Sequence, residues 1–296
     1  MNRPKSLWSV VGHRTRRWGL QAARLAEWRI DSTSWPAPQQ YDQTRDGRLE
    51  VAARVVRVPL RSPAGHGEAA LEAGKRTNVS LAAPAFDGLV VAPGQPLSFW
   101  RALGRPTRRR GFTWGRELRG GCVVPTIAGG LCLLSNALFE AGVRAGWRIH
   151  ERHGHSLEAV PPPPGTVPLD ATVAWPDVDL VMAPIHGRAR LAVGIEDDHL
   201  RVAIFTAAAS GERVELSHQE AVLERAGERW RSLQLWRRRL DAAGAVIASE
   251  EVARTERRIL DADEIGKTCL TCGELSCRDR PAEKTLVALR TIGRKG

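Results

Sequence analysis

No stretch of the 296 residues approaches the roughly 20 unbroken apolar positions that a membrane-spanning helix needs, which excludes a helical integral membrane protein. The opening apolar run breaks at Gly12-His13, short of a secretory signal, so the expectation is a cytoplasmic protein. No internal repeat is visible. Lysine is scarce: it occurs only at 5, 75, 267, 284 and 295, so 39 of the 44 basic residues are arginine. Cysteine is sparse and odd in number, and five in a long chain without an export signal do not suggest a disulfide framework.

What is present is ordinary globular composition, 43% hydrophobic and 26% charged, which argues against wholesale disorder. The net charge of +11 favours anionic partners such as nucleic acid, anionic lipid or an acidic polymer. Arginine in place of lysine is also what a GC-rich genome produces. The arginines are scattered, the one dense run (Arg105 to Arg110) is short, and no aromatic-lined basic face is evident. Nucleic-acid binding is therefore not expected.

Four regions are expected: a basic helical extension and linker over 1–47, a core domain over 48–209, a β-hairpin region over 210–262, and a cysteine-bearing tail over 263–296. Residues 4–30 read as a basic amphipathic helix carrying Trp8, Trp18 and Trp28. Such a helix can lie peripherally on an anionic membrane or pack along its own domain. Glu68 to Ala85 has helical spacing, and Leu89 to Trp100 reads as two strands around a Pro-Gly turn. Apolar residues at 131, 134, 138 and 141 mark a central helix that Gly146 is placed to end. Trp147 to His155 reads as a strand, followed by the rigid Pro161 to Pro164. Short alternating segments come next at 170–175, 178–183, 188–195 and 199–206, with a hairpin over 229–240 and 245–259. The expected class is α+β, a central helix packed on antiparallel strands.

Cys132 falls in the first turn of the central helix, behind Gly129 and Gly130. Unpaired N–H groups and the positive helix end favour a thiolate there, and glycine permits close approach and oxyanion contacts. A nucleophilic thiol needs a base, and His150, His153 and His155 follow. On a strand, His153 and His155 share a face, and Asp170 could orient an imidazole. The plainer reading is a buried structural cysteine, with histidines at a polar strand end and Asp170 capping a turn.

Residues 78–183 resemble the VanW family in Asn78-Val-Ser-Leu-Ala-Ala83, Ala92-Pro-Gly-Gln-Pro-Leu-Ser-Phe99, Arg110-Gly-Phe112, Gly129-Gly-Leu-Cys132 with Ser135-Asn136, Glu151-Arg-His-Gly-His-Ser156 and Asp170-Ala-Thr-Val173. The resemblance covers about a third of the chain. Some extracellular members of the family are associated with L,D-transpeptidase-type cross-linking of peptidoglycan through the motif cysteine. It implies Cys132 as nucleophile, His155 or His153 as base and Asp170 as orienter. Gly129, Gly130 and Leu131 would form the oxyanion region, with Ser135 and Ser156 near the substrate. No cofactor is required for that site, and the substrate would be a peptidoglycan precursor or another peptide. Two positions depart from the family: Ala128 replaces the first of three glycines, and Leu133 replaces a glutamine. The alternative is a non-catalytic accessory or binding protein of glycopeptide resistance or the cell envelope.

In the tail, Cys269, Cys272 and Cys277 form a C-x2-C-x4-C pattern. Its first pair has the spacing of a zinc knuckle, leaving a fourth position for a histidine, Cys122 or water. Iron–sulfur ligation, a redox thiol cluster and plain reduced thiols are the other readings. Cys122 reads as a buried strand cysteine or as a resolving thiol for Cys132.

Overall fold

A computed structural model describes residues 19, 21–28, 39–40, 42–61, 69–119, 121–158, 166–208, 211–261, 268–274, 277 and 280–293. Trp8, Trp18, most of the expected basic helix and the Pro161 to Pro164 wall lie outside the described residues.

The chain runs α1 (21–28), β1 (Gln39–Gln40), α2 (Gln43–Asp46), β2 (Val51–Pro59), α3 (Ala69–Ala82), β3 (Leu89–Val91), β4 (Leu97–Ser98) and α4 (Phe99–Leu103). It continues through β5 (Trp114–Arg119), β6 (Cys122–Ile127), α5 (Cys132–Arg144), β7 (Arg148–Glu151), β8 (Leu157–Glu158) and β9 (Val181–Ala183). Last come β10 (Ala189–Glu196), β11 (His199–Thr206), β12 (Arg213–Arg225), β13 (Glu228–Leu240), β14 (Val246–Ile259) and α6 (Glu283–Gly293). The class is α+β. An antiparallel five-stranded sheet, ordered β1-β3-β10-β11-β2, carries α5 against β2 and β11. A second sheet, β12-β13-β14-β8, is antiparallel except at its β14–β8 edge, and β4-β9-β7 and the β5–β6 hairpin complete the fold.

Local chemistry explains the strongest elements. Leu134, Ala137, Leu138 and Ala141 form the buried stripe of α5, a spacing of one helical face. Gly146, at φ +78, leaves the helix by a left-handed step open to glycine. Asp197 and Asp198 both take positive φ, 47 and 62, which suits the tight β10–β11 turn.

The two strands expected around the Pro-Gly turn are β3 and β4, which enter different sheets: β3 joins β1 and β10, whereas β4 joins β9. Two expectations are corrected. The strand read over 147–155 stops at Glu151, and His153 keeps only a single bridge to Thr172. The segment 170–175 forms no strand, because isolated bridges at Thr172 and Ala174 are its whole β pairing among the described residues.

The C-terminal sheet is bonded into this core. Arg237, 1% exposed, donates to the carbonyls of Val143 and Trp147 at 3.1 and 2.8 Å and pairs with Glu250 at 2.8 Å. It thereby adds a donor to the Val143 carbonyl, which also takes Gly146 N, and reaches the Trp147 carbonyl just beyond the end of α5. At the other end of the chain, α1 lies against the same body: Arg24 pairs with Glu151 at 2.5 Å, and Trp28 packs on Trp175 at 5.7 Å between ring centroids.

Candidate active site

The loop from β6 into α5 is shaped by close backbone approach. A Cβ on Gly129 would stand 2.5 Å from the carbonyl carbon of Gly115 in β5, and one on Gly130 would stand 2.2 Å from Lys75 Cγ. Gly130 has φ +97, and Ala128 is held at φ +63. A left-handed alanine is strained. Fully buried Asn78 holds the loop from behind, donating to Gly129 O at 2.9 Å and accepting from Thr113 N at 2.9 Å.

This loop delivers half-buried Cys132 as the first residue of α5. Leu133, Leu134 and Ser135 turn their N–H groups back to the carbonyls of Gly130 and Leu131. Those of Gly130, Leu131 and Cys132 have no backbone acceptor among the described residues. The Cys132 sulfur lies 3.4 Å from Thr172 Oγ1 and 3.9 Å from Val173 O.

A strap over residues 170–173 brings the other groups in. Ser135 Oγ donates to Ala171 O at 2.5 Å, Asn136 Oδ1 accepts from Ala171 N at 2.7 Å, and Thr172 N donates to His153 O at 2.8 Å. Asp170, so placed, takes His155 Nδ1 on Oδ1 at 2.5 Å and the His155 backbone N–H on Oδ2 at 2.8 Å. Arg257 from β14 reaches the same Oδ2 at 3.0 Å, and Arg152 donates to the Asp170 carbonyl at 2.5 Å. With Nδ1 turned to Asp170, the remaining ring nitrogen of His155 is the one left to face Cys132.

The charges follow this arrangement. Burial pushes the Cys132 thiol up, but hydrogen bonding and charge from His155, with help from Thr172 and Val173 O, bring it below the ordinary thiol value. Burial likewise disfavours the charged form of His155, and Asp170 and Cys132 override it, raising the imidazole to about 10. Asp170 is pulled down to about 2, against its burial, by His155 and Arg257. Both shifts run toward a thiolate beside an imidazolium. Both open onto a cleft of about 440 Å³ whose walls include Gly129, Gly130, Leu131, Thr172 and Trp175, with exposed Arg105 at its edge.

The other expected residues lie elsewhere. His153 is exposed and turns to Glu151 at 3.0 Å, so the two histidines do not share a face: beyond the end of β7 the backbone no longer alternates. His150 is exposed and does not line this cleft. Ser135 is spent inside the fold, and Ser156 is exposed, its carbonyl accepting from Arg258 N at 2.9 Å. Cys122 opens β6, at the end of the strand away from the loop that leads to Cys132, and does not line the cleft. Among the described residues no three His, Cys, Asp or Glu side chains stand together as a formed metal site.

Sequence reasoning missed Thr172, Arg152 and Arg257. Thr172 sits inside the quoted Asp170–Val173 motif and was within reach. Arg257 had no local signal, being 87 residues from its partner.

Residues 74–205 match the family profile described as VanW like protein. The chain is 38% identical over 98 residues to the "Uncharacterized protein YoaR" of Bacillus subtilis (strain 168), covering 33% of this chain and 31% of that one. It is 30% identical over 105 residues to the "Vancomycin B-type resistance protein VanW" of Enterococcus faecalis (strain ATCC 700802 / V583), covering 35% of this chain and 38% of that one. The chain thus spans about a third of the length of these curated relatives. No solved structure matches significantly. Cys132, His155 and Asp170 all fall inside the segment that is similar to the VanW like protein family.

Proposed function

We propose that the cleft is the active site of a thiol-dependent acyl transferase acting on peptides of the peptidoglycan type. The observation that carries this reading is the Cys132–His155–Asp170 alignment at the start of α5, with His155 Nδ1 held at 2.5 Å by Asp170. The Cys132 thiolate attacks a peptide carbonyl, and the tetrahedral oxyanion is received by the N–H groups of Gly130, Leu131 and Cys132. His155 gives its proton to the departing amine as the C–N bond breaks, leaving a thioester on Cys132. An incoming amine then attacks that thioester. His155 takes the amine's proton, a new amide forms, and the thiolate returns to pair with the imidazolium. Water in place of the amine would release a free acid. Asp170 keeps the ring in the tautomer this cycle needs, and Arg257 and Arg152 hold Asp170.

The test is alkylation of the native protein across pH, mapped to each cysteine by mass spectrometry. Cys132 is expected to react well below the free-thiol value of about 8.5, and His155→Ala should slow it at neutral pH. Incubation with a peptidoglycan stem peptide should add one acyl mass at Cys132. An accessory, non-catalytic protein would instead show Cys132 inert until unfolding, and no acyl adduct.

A further inference from the structure

The second cysteine group is separate from this cleft. It is built where the tail returns to β6. Thr268 makes a parallel bridge with Val123, and Cys269 N donates to Val123 O at 3.0 Å. The bridge brings Cys269 alongside the start of β6, where Cys122 stands.

From Cys269 the chain turns at once: Thr271 N and Cys272 N both donate to Thr268 O, at 3.1 and 2.9 Å. After Gly273, the N–H of Glu274 points at Cys272 Sγ at 3.5 Å. Arg280 folds the far side inward, its backbone N–H on Cys277 O at 3.1 Å and its Nη1 on Cys272 O at 2.6 Å. Cys269 is buried in a small apolar cluster with Val123, Val124, Leu270 and Leu286, and Cys122 packs against that same cluster.

We propose that Cys122, Cys269, Cys272 and Cys277 form a four-thiolate zinc site that fastens the tail to β6. An all-sulfur set suits zinc and disfavours hard cations. Zn–S bonds of about 2.3 Å draw the thiols closer than the spacing they hold without metal. Binding displaces the four thiol protons to solvent. The site has a mechanical consequence: β6 leads directly into the Ala128–Gly130 loop, so the clamp braces the strand that delivers Cys132 without touching the cleft.

The test uses the full-length chain purified under reducing conditions. Elemental analysis is expected to find one zinc per chain. Cys122→Ser and Cys277→Ser should each weaken retention against a competing chelator by about tenfold or more. Absence of zinc from the wild-type chain, zinc held as tightly in Cys122→Ser as in wild type, or iron–sulfur absorbance would each overturn the site. Should the variants fail to fold, cobalt titration of the wild-type chain with alkylation mapping decides the same question. Bound cobalt should protect all four cysteines and leave Cys132 open to label, whereas labelling of Cys122 while the other three are protected refutes the four-thiolate assignment. Because Cys132 is read in the same spectra, failure here is distinguishable from failure of the acyl-transfer reading.

Discussion

Two buried carboxylates of this protein are shifted in opposite directions, and each leaves its own mark on stability. Asp170 is held down to about 2, so its contribution is complete above the ordinary carboxylate value and is lost as pH falls toward 2. Asp179 is fully buried, and desolvation lifts it to about 6 despite hydrogen bonds from Ser98 Oγ, Trp100 N and Leu180 N. The folded state therefore binds its proton more tightly than the unfolded chain, and stability from this group falls as pH rises from about 4 to about 6. Urea midpoints across pH should show both slopes. Asp179→Asn should flatten the upper one and Asp170→Asn the lower one. His155 behaves as a base with a raised value: its contribution is full below the ordinary imidazole range and fades as pH climbs through about 10. At Ala128 the issue is backbone strain. Glycine accepts φ +63 freely but adds freedom to the unfolded chain, so Ala128→Gly should stabilise by about 0.5–1 kcal/mol net. A lower melting temperature for that variant would mean the methyl group's packing outweighs the strain.

At the scale of elements, α5 is the member on which the rest depends. Its N-terminal end presents Cys132, its buried stripe anchors the five-stranded sheet, and its C-terminal end is held by Arg237 from β13. Leu138, 2% exposed, fills the core with no room to spare, and Leu138→Ala should cost about 2–5 kcal/mol in chemical denaturation. Arg237→Met should cost about 3 kcal/mol, because it removes the guanidinium donor from the Trp147 and Val143 carbonyls and leaves Glu250 without its partner. A loss below 1 kcal/mol would mean that the C-terminal sheet is not tied to the helix as described. β14 matters for a related reason. Its Thr255 takes Arg152 Nη1 at 2.5 Å, and its Arg257 holds Asp170, so the site borrows support from a strand beyond the matched family segment.

Over the whole molecule, burial is uneven. β10, β11 and α5 are packed on the main core, whereas the β12–β13 hairpin runs out to a tip at Ala226-Gly227 where most residues are exposed, Val222 and Leu223 included. Local opening is easiest where few apolar contacts resist it. Amide hydrogen exchange should be fastest at residues 219–229 and slowest in β10 and β11. Equal protection in both regions would show that something covers the tip. Positive charge is distributed similarly. Although the chain carries +11, many arginines are engaged by carboxylates, including Arg225 with Glu256, Arg238 with Glu215 and Arg254 with Glu251. Among the described residues, no helix is long and apolar enough to cross a membrane.

Short-range chemistry was legible in the sequence by itself. The apolar period of α5, the glycine that ends it and the β13–β14 hairpin are set by contacts a few residues apart, and each reads correctly from local pattern. Cys132 at a helix start behind two glycines was legible for the same reason. Which histidine faces it was not, because the alternation that would have paired His153 with His155 ends with β7, and the choice is made by Asp170 on a strap pinned to α5. Arg257 on Asp170, Arg237 on the end of α5, and Cys122 beside the tail cysteines join residues far apart in the chain. Only tertiary structure could decide those contacts, because each depends on how separate sheets dock and not on the residues that flank it.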